Sequence, residues 1–143
     1  IAFTKLHKGK FYIGVMRTDG KGERLLTENF YQEAPSWSPN GRVLIFYRET
    51  KTDTKGEGFS AKLWSIDLTG YNERLVNTTT DAPEPSWSPN GRVLIFYRET
   101  KTDSKGKGFS AKLWSIDLTG YNERQVPTPT DGSDPSWSSL LSN

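Results

Sequence analysis

Pro35-Ser-Trp37-Ser-Pro-Asn-Gly-Arg-Val-Leu-Ile-Phe-Tyr47 is the stretch that decides the fold. Asn40-Gly41 reads as a two-residue hairpin, because both residues accept the positive φ that a type I′ turn requires. It would join a short inner strand, Pro35 to Ser38, to the run Val43 to Tyr47. That run is apolar at every position, as a strand covered on both faces would be. A charged, glycine-bearing stretch from Glu49 to Gly58 follows, and Lys62 to Leu68 then alternates as a third strand. Thr69-Gly-Tyr-Asn72 reads as the next turn, and Glu73 to Val76 as a short polar fourth strand suited to a sheet edge.

The unit repeats. Trp37, Trp87 and Trp137 fall at intervals of 50, the run Trp37 to Asp53 recurs unchanged as Trp87 to Asp103, and Gly58 to Arg74 recurs as Gly108 to Arg124. The first segment is a diverged copy: Ile1 to Thr4 matches the second strand, Phe11 to Arg17 the third, Thr18-Asp-Gly20 the turn and Glu23 to Thr27 the fourth. It lacks an inner strand, and Pro135-Ser-Trp-Ser138 supplies one without a sheet. Four meandering strands whose apolar content falls outward describe a β-propeller blade, and the absence of a 3.6-residue period excludes a helical solenoid. The expected fold is all-β, a single domain over residues 1–143 holding three four-stranded blades. These are 1–27 completed by 135–138, then 35–76, then 85–126. Near-identity even at exposed positions, such as Lys51 and Lys101, points to recent duplication of one unit, natural or constructed.

The motifs Pro-Ser-Trp-Ser-Pro-Asn-Gly-Arg and Leu-Trp-Ser-Ile-Asp-Leu-Thr-Gly, with Ile13-Gly-Val-Met16 before Asp19-Gly20, resemble the repeat of the TolB-type propeller. That family uses Pro-x-Trp-Ser-Pro-Asp-Gly and Ile-Tyr-x-Met-x-x-Asp-Gly. The resemblance implies a bacterial periplasmic setting and a six-bladed ring behind a separate N-terminal domain. It also implies binding, through the propeller, of a peptidoglycan-associated lipoprotein and of imported toxins.

Three blades form half of such a ring. Each open end would leave several hundred Å² of apolar surface, which at about 25 cal/mol per Å² is on the order of 10 kcal/mol of unrealised burial. The expectation is a homodimer closed by half a turn, with Pro135, Ser136, Trp137 and Ser138 of one copy completing the sheet that begins Ile1, Ala2, Phe3 in the other. Trp37, Trp64, Trp87, Trp114 and Trp137 are expected to pack between blades.

Composition narrows the function. With 19 Lys and Arg against 17 Asp and Glu, the formal charge of +2 gives no basic field for nucleic acid. No apolar run is long enough to insert in a membrane, and the chain opens on Ile1 with neither an initiator Met nor a signal-peptide pattern, as a processed or excised piece would. No cysteine is present, and no Gly-x-Ser-x-Gly elbow, phosphate-binding loop or histidine metal spacing occurs. The one histidine, His7, lies among Lys5, Lys8 and Lys10 and reads as a solvated loop residue. Asp53-Thr-Lys-Gly-Glu57 has a faint calcium-loop look, but its copy ends in Lys107; Asn77-Thr-Thr79 is a chance-level sequon. No cofactor or metal is expected, and no catalysis.

The connections from outer strand to next inner strand should form the mouth of the channel. They carry Tyr31, Gln32 and Glu33, then Asp81 and Glu84, then Asp131 and Asp134. An acidic, aromatic-rimmed mouth would receive a protein or basic peptide. The bland reading is that these acids accept backbone N–H bonds at turns, and the rival functional reading is a propeller hydrolase using them as paired carboxylates.

Overall fold

The computed structural model describes residues 1–51, 59–101 and 108–138. Among them the chain is all-β, in three antiparallel meanders. The first sheet has three strands, β1 (Ala2–His7), β2 (Lys10–Val15) and β3 (Arg24–Asn29). The second runs β4 (Gln32–Trp37), β5 (Val43–Lys51), β6 (Phe59–Asp67), β7 (Arg74–Val76), and the third repeats it as β8 (Ser86–Trp87), β9 (Val93–Lys101), β10 (Phe109–Asp117), β11 (Arg124–Gln125).

Alternation along the second strand explains the stacking. Leu44 and Phe46 join Ile13, Val15 and Ile66 in a core between the first and second sheets. Ile45 and Tyr47, pointing the other way, join Leu63, Val76, Trp87, Leu94, Phe96 and Ile116 between the second and third. Trp37 and Trp64 pack into the first of these layers, and Trp87 and Trp114 into the second. The apolar run is therefore the central strand of a sheet sandwiched on both sides.

The repeat provides its own control for what a neighbouring blade does. Ile45 and Leu63 are 0% exposed and Tyr47 and Val76 7%, all beneath the third sheet. Their copies Ile95, Leu113, Tyr97 and Val126 face outward and are only half-buried. Beside them a groove of about 610 Å³ opens, lined by Val93, Ile95, Gln125, Val126, Pro127 and Trp137.

Pairing register aligns the diverged first sheet with the others. Phe46 opposes Trp64, which opposes Leu75; Phe3 opposes Gly14, which opposes Leu25. Gly14 thus stands where the later blades carry tryptophan, and the Phe3 ring fills the space: a Cβ on Gly14 would lie 2.7 Å from Phe3 Cζ.

Three local expectations are corrected. The hairpin after the inner strand is not a two-residue type I′ turn at Asn40-Gly41, because Asn40 is not left-handed. Gly41 N–H bonds Ser38 O at 2.8 Å, Ser38 N–H bonds Val43 O at 2.8 Å, and Gly41 alone has positive φ, 67°. Pro39 presets the second position of an ordinary turn, while the Ser38 and Asn40 side chains close the loop. The type I′ turn lies instead at Lys8 (φ 51°) and Gly9 (φ 74°), so that His7 ends a strand opposite Lys10 rather than sitting in a loop. Finally, the second strand continues past Tyr47 to Lys51, and the third begins at Phe59. The Asp53–Glu57 segment lies outside the described residues.

Within one chain, 135–138 is neither a strand nor paired with β1, so the first sheet has three strands here. The segment lies beside the third sheet's inner strand, with Trp137 N–H 3.3 Å from Ser86 Oγ and its side chain 41% exposed.

Candidate functional site: an acidic mouth

In a four-stranded meander the ends of the second and fourth strands share one side with the starts of the third and of the next inner strand. Two bonds tie that side together: Glu49 N–H to Tyr31 O at 3.1 Å, and Ala82 N–H to Ala61 O at 2.9 Å. Of the seven expected mouth residues, Gln32 and Glu33 open β4 rather than lying in a connection, while Tyr31, Asp81, Glu84, Asp131 and Asp134 lie outside the strands; the structure divides the seven into three roles.

Gln32 is internal, with 0% exposure. Its Nε2 donates to Phe11 O at 2.9 Å, and its Oε1 accepts from Arg48 Nε and Nη2 at 3.2 and 2.9 Å. It offers no polar atom to a partner at the mouth. Arg48, which no sequence motif singles out, stacks with its Cζ 4.6 Å from the Trp64 ring centroid and pairs with Glu73. Arg98 repeats this over Trp114 at 4.2 Å with Glu123.

Asp81 and Asp131 hold strand starts. Asp81 Oδ1 accepts from Ser60 Oγ at 2.6 Å and from Ala61 N–H at 3.1 Å. Asp131 Oδ1 accepts from Ser110 Oγ at 2.7 Å and lies 3.3 Å from Lys112 Nζ, contacts that hold its carboxyl below the usual range. This is the turn chemistry that short acidic side chains supply.

Glu33, Glu84, Asp134 and Tyr31 form the remaining group. Tyr31 and Tyr47 both donate to Glu33 Oε2, at 3.0 and 3.1 Å. Glu84 is pushed up to about 7, chiefly by burial, then by its hydrogen bond to Asp134 and by the charges of Asp134 and Glu33. Asp134 is held down, first by that same hydrogen bond. Glu49 is raised in turn by burial and by the charges of Asp81 and Glu33.

The backbone aims these groups. Ala34, Glu84 and Asp134 stand at one position in three successive repeats, each left-handed (φ 52°, 52° and 49°) and each immediately before proline. Positive φ is uncommon for residues with a Cβ, and a following proline further favours extended backbone instead. In the second sheet the pairing slips between Glu33 and Ser36, a bulge that reorients the strand entrance. The three entrances converge on a hollow of about 330 Å³ lined by Ala34, Ser36, Glu84, Ser86, Asp134 and prolines 35, 85 and 135. Proline after an acid or alanine was visible in the sequence, but not the sign of φ.

Chemically this is a pair of acids on one hollow, Glu84 raised and Asp134 lowered, near a tyrosine-held carboxylate, an arrangement suited to cationic groups. Among the described residues no group of three His, Cys, Asp or Glu side chains could hold a metal ion. No helix of the structure is long and apolar enough to cross a membrane.

Meandering sheets packed face to face, with strand entrances meeting at one hollow and a tryptophan on each four-stranded sheet's inner strand, define a β-propeller array. The blades are similar to those of TolB. Over 56 residues, 39% of the chain, the sequence is 95% identical to the Tol-Pal system protein TolB of Pelagibacter ubique (strain HTCC1062). Over 70 residues, 49% of the chain, it is 53% identical to the Tol-Pal system protein TolB of Zymomonas mobilis. These matches span 13% and 14% of the two relatives, so the chain corresponds to a small part of their length. No family model matches the chain.

Among solved structures, TolB from Acinetobacter baumannii superposes with a TM-score of 0.68 at 16% identity, over 90% of this chain and 30% of that one. A putative TolB from Agrobacterium tumefaciens gives 0.68 at 21%, over 89% and 42%. The tricorn protease gives 0.61 at 13%, over 89% and 12%. At these identities the likeness is one of fold.

Proposed function

We propose that the chain is a non-catalytic, TolB-like propeller scaffold that binds protein, taking an extended basic peptide segment at the acidic mouth. The convergence of Glu84 and Asp134 on one hollow, with the charge of Glu33 near enough to raise Glu84, carries this reading. A negative, partly desolvated concavity attracts Lys and Arg side chains and repels phosphate, which favours peptide over nucleic acid. The TolB resemblance supports a periplasmic setting. The half-buried outer face of the third sheet supports assembly with a second copy into a closed, six-bladed ring.

The acid pair also bears on the rival hydrolase. Carboxylates that cleave glycosides stand apart, about 5–5.5 Å or 6.5–9.5 Å, to admit the sugar or a water. The acids at the mouth instead serve strand starts, as Asp81 and Asp131 do, or share one hollow, as Glu84 and Asp134 do, which favours binding over catalysis.

The test is fluorescence anisotropy of a labelled Lys/Arg-rich peptide against one of the same length with the charges reversed. Binding of the basic peptide should weaken at least tenfold in the Glu33→Gln, Glu84→Gln, Asp134→Asn triple variant and should fall with added salt. Equal binding of the two peptides, or an unaffected triple variant, overturns the reading.

A further inference from the structure

The three blades differ in what touches them, and the differences specify the missing neighbour. β1 hydrogen-bonds to β2 on one side and, among the described residues, has no strand on the other. The spare segment 135–138 lies at the opposite end of the array, beside Ser86, with an inner strand's sequence and no sheet of its own. A second deficit matches the first. A Cβ on Gly70 would lie 3.5 Å from Leu26 O, and one on Gly120 3.0 Å from Asn77 O, because each of these turns rests on the outer strand of the preceding blade or the residue just past it. Gly20, at the same place in the first sheet, meets nothing within 4 Å. Donor strand and acceptor edge, and exposed face and uncovered turn, thus all occur on one chain, at opposite ends.

We propose that a second copy of this chain supplies both missing parts. Segment 135–138 of each copy adds to β1 of the other, in a register that sets Ser136 opposite Ala2 and Trp137 opposite Ile1. The register follows from the complete blades, where Ser36 opposes Ile45, Trp37 opposes Leu44, Ser86 opposes Ile95 and Trp87 opposes Leu94. In the alignment fixed by the β1–β2 ladder, Ala2 takes the place of Ile45 and Ile1 that of Leu44. Ile1, Phe3 and Met16 of the second copy then cover Ile95, Tyr97, Leu113 and Val126, as Leu94, Phe96 and Ile116 cover their counterparts in the second sheet. The second copy's Gly20 turn comes to rest on Val126 and Pro127. Half a turn makes the two contacts equivalent and closes the assembly, leaving β1 paired on both sides. The inference rests on the ring reading above and adds the register of the exchange and the contacts that seal it.

The chain has no cysteine, so Ala2→Cys with Ser136→Cys introduces a single candidate pair. Directly opposed strand residues lie within disulfide range. After mild oxidation of dilute protein, the double variant should run at twice the 16.2 kDa chain mass without reductant and at 16.2 kDa with it. Each single variant alone should stay at the chain mass, and an equimolar mixture of the two should give the covalent dimer. Light scattering before oxidation separates the two failures. A mass of 16.2 kDa there overturns the ring itself. A doubled mass with no crosslink at this pair, or with one only when Thr4→Cys replaces Ala2→Cys, overturns the register while keeping the ring. A ladder of higher multiples shows open-ended association and overturns the exchange.

Discussion

Arg98 and Glu123 form an ion pair whose side chains each keep 8% exposure, while Lys5 and Glu23, at the same place in the first blade, are 2.5 Å apart with 37% and 42% exposed. Register makes them equivalent: Arg48 opposes Lys62 as Lys5 opposes Tyr12, with Glu73, Glu23 and Glu123 each just before the outer strand. The intermediate case, Arg48 and Glu73, is 7% and 31% exposed. One charge pair therefore occurs in three degrees of enclosure within one molecule.

Removing one partner of an enclosed pair strands the other in low dielectric, at a cost of about 3–5 kcal/mol, whereas an exposed pair contributes under about 1 kcal/mol. Arg98→Ala should therefore lower unfolding stability in urea by several-fold more than Lys5→Ala. Glu123 also accepts Thr79 N–H at 2.9 Å, so Arg98→Ala should loosen the link between second and third blades as well. Equal effects of the two substitutions would contradict the ranking by burial.

The Glu84–Asp134 pair sets a pH dependence. Glu84 has a folded value of about 7 against a reference of 4.5, so between those limits the folded chain holds the extra proton. Stability then falls as pH rises through that window. Glu49, also raised, adds to the same slope. Asp131 and Asp134, held down from 3.8, contribute stability that is lost only below that window. Melting temperature should decline from about pH 4.5 to about 7, and Glu84→Gln, which keeps a donor for Asp134, should flatten most of the decline. An unchanged slope in the variant would remove Glu84 as its source.

Much of this was legible before the structure, and unevenly so. The tryptophans at intervals of 50 and the fully apolar run marked out the blades, because an unbroken apolar strand is stable only when both of its faces are covered. The extension of β5 to Lys51 was hidden because Arg48-Glu-Thr-Lys51 reads as solvated, yet these residues pair in order with Lys62, Ala61, Ser60 and Phe59. Arg48 belongs in the strand because its guanidinium has Trp64, Glu73 and Gln32 to meet, and only the fold brings those together. The expected mouth residues read as a set of loops, while their division into the internal Gln32, the strand-start acids and the acids on the hollow depends on side-chain directions that spacing does not encode.

Asp81 illustrates that division. Its bonds to Ser60 and to Ala61 N–H are of the capping kind, typically worth about 0.5–2 kcal/mol. Asp81→Asn should lower stability by that order in urea unfolding while leaving affinity for a basic peptide within about twofold. A large loss of affinity with no loss of stability would instead place Asp81 among the binding residues.

Gly14 tests the diverged blade. Alanine there would crowd Phe3 Cζ at 2.7 Å and Leu25 Cδ2 at 3.1 Å, and overpacking of this kind costs about 1–3 kcal/mol. Gly14→Ala should destabilise, and Phe3→Leu should relieve it, so that the double variant is more stable than the sum of the single effects. Strict additivity would mean that Phe3 is not what fills the tryptophan's place.

Trp87 and Trp137 are the same residue of the same motif, 8% and 41% exposed in one chain. Burying an aromatic side chain and then truncating it costs about 3–5 kcal/mol, so Trp87→Ala should destabilise at every protein concentration. Trp137 reaches comparable burial only beneath a further blade. If that blade comes from a second copy, Trp137→Ala should cost little in dilute protein and as much as Trp87→Ala where dimer dominates, which unfolding curves across a hundredfold concentration range would read directly. A small, concentration-independent effect of Trp137→Ala would mean that its open face stays uncovered, and the expected ring would lose the residue that seals it.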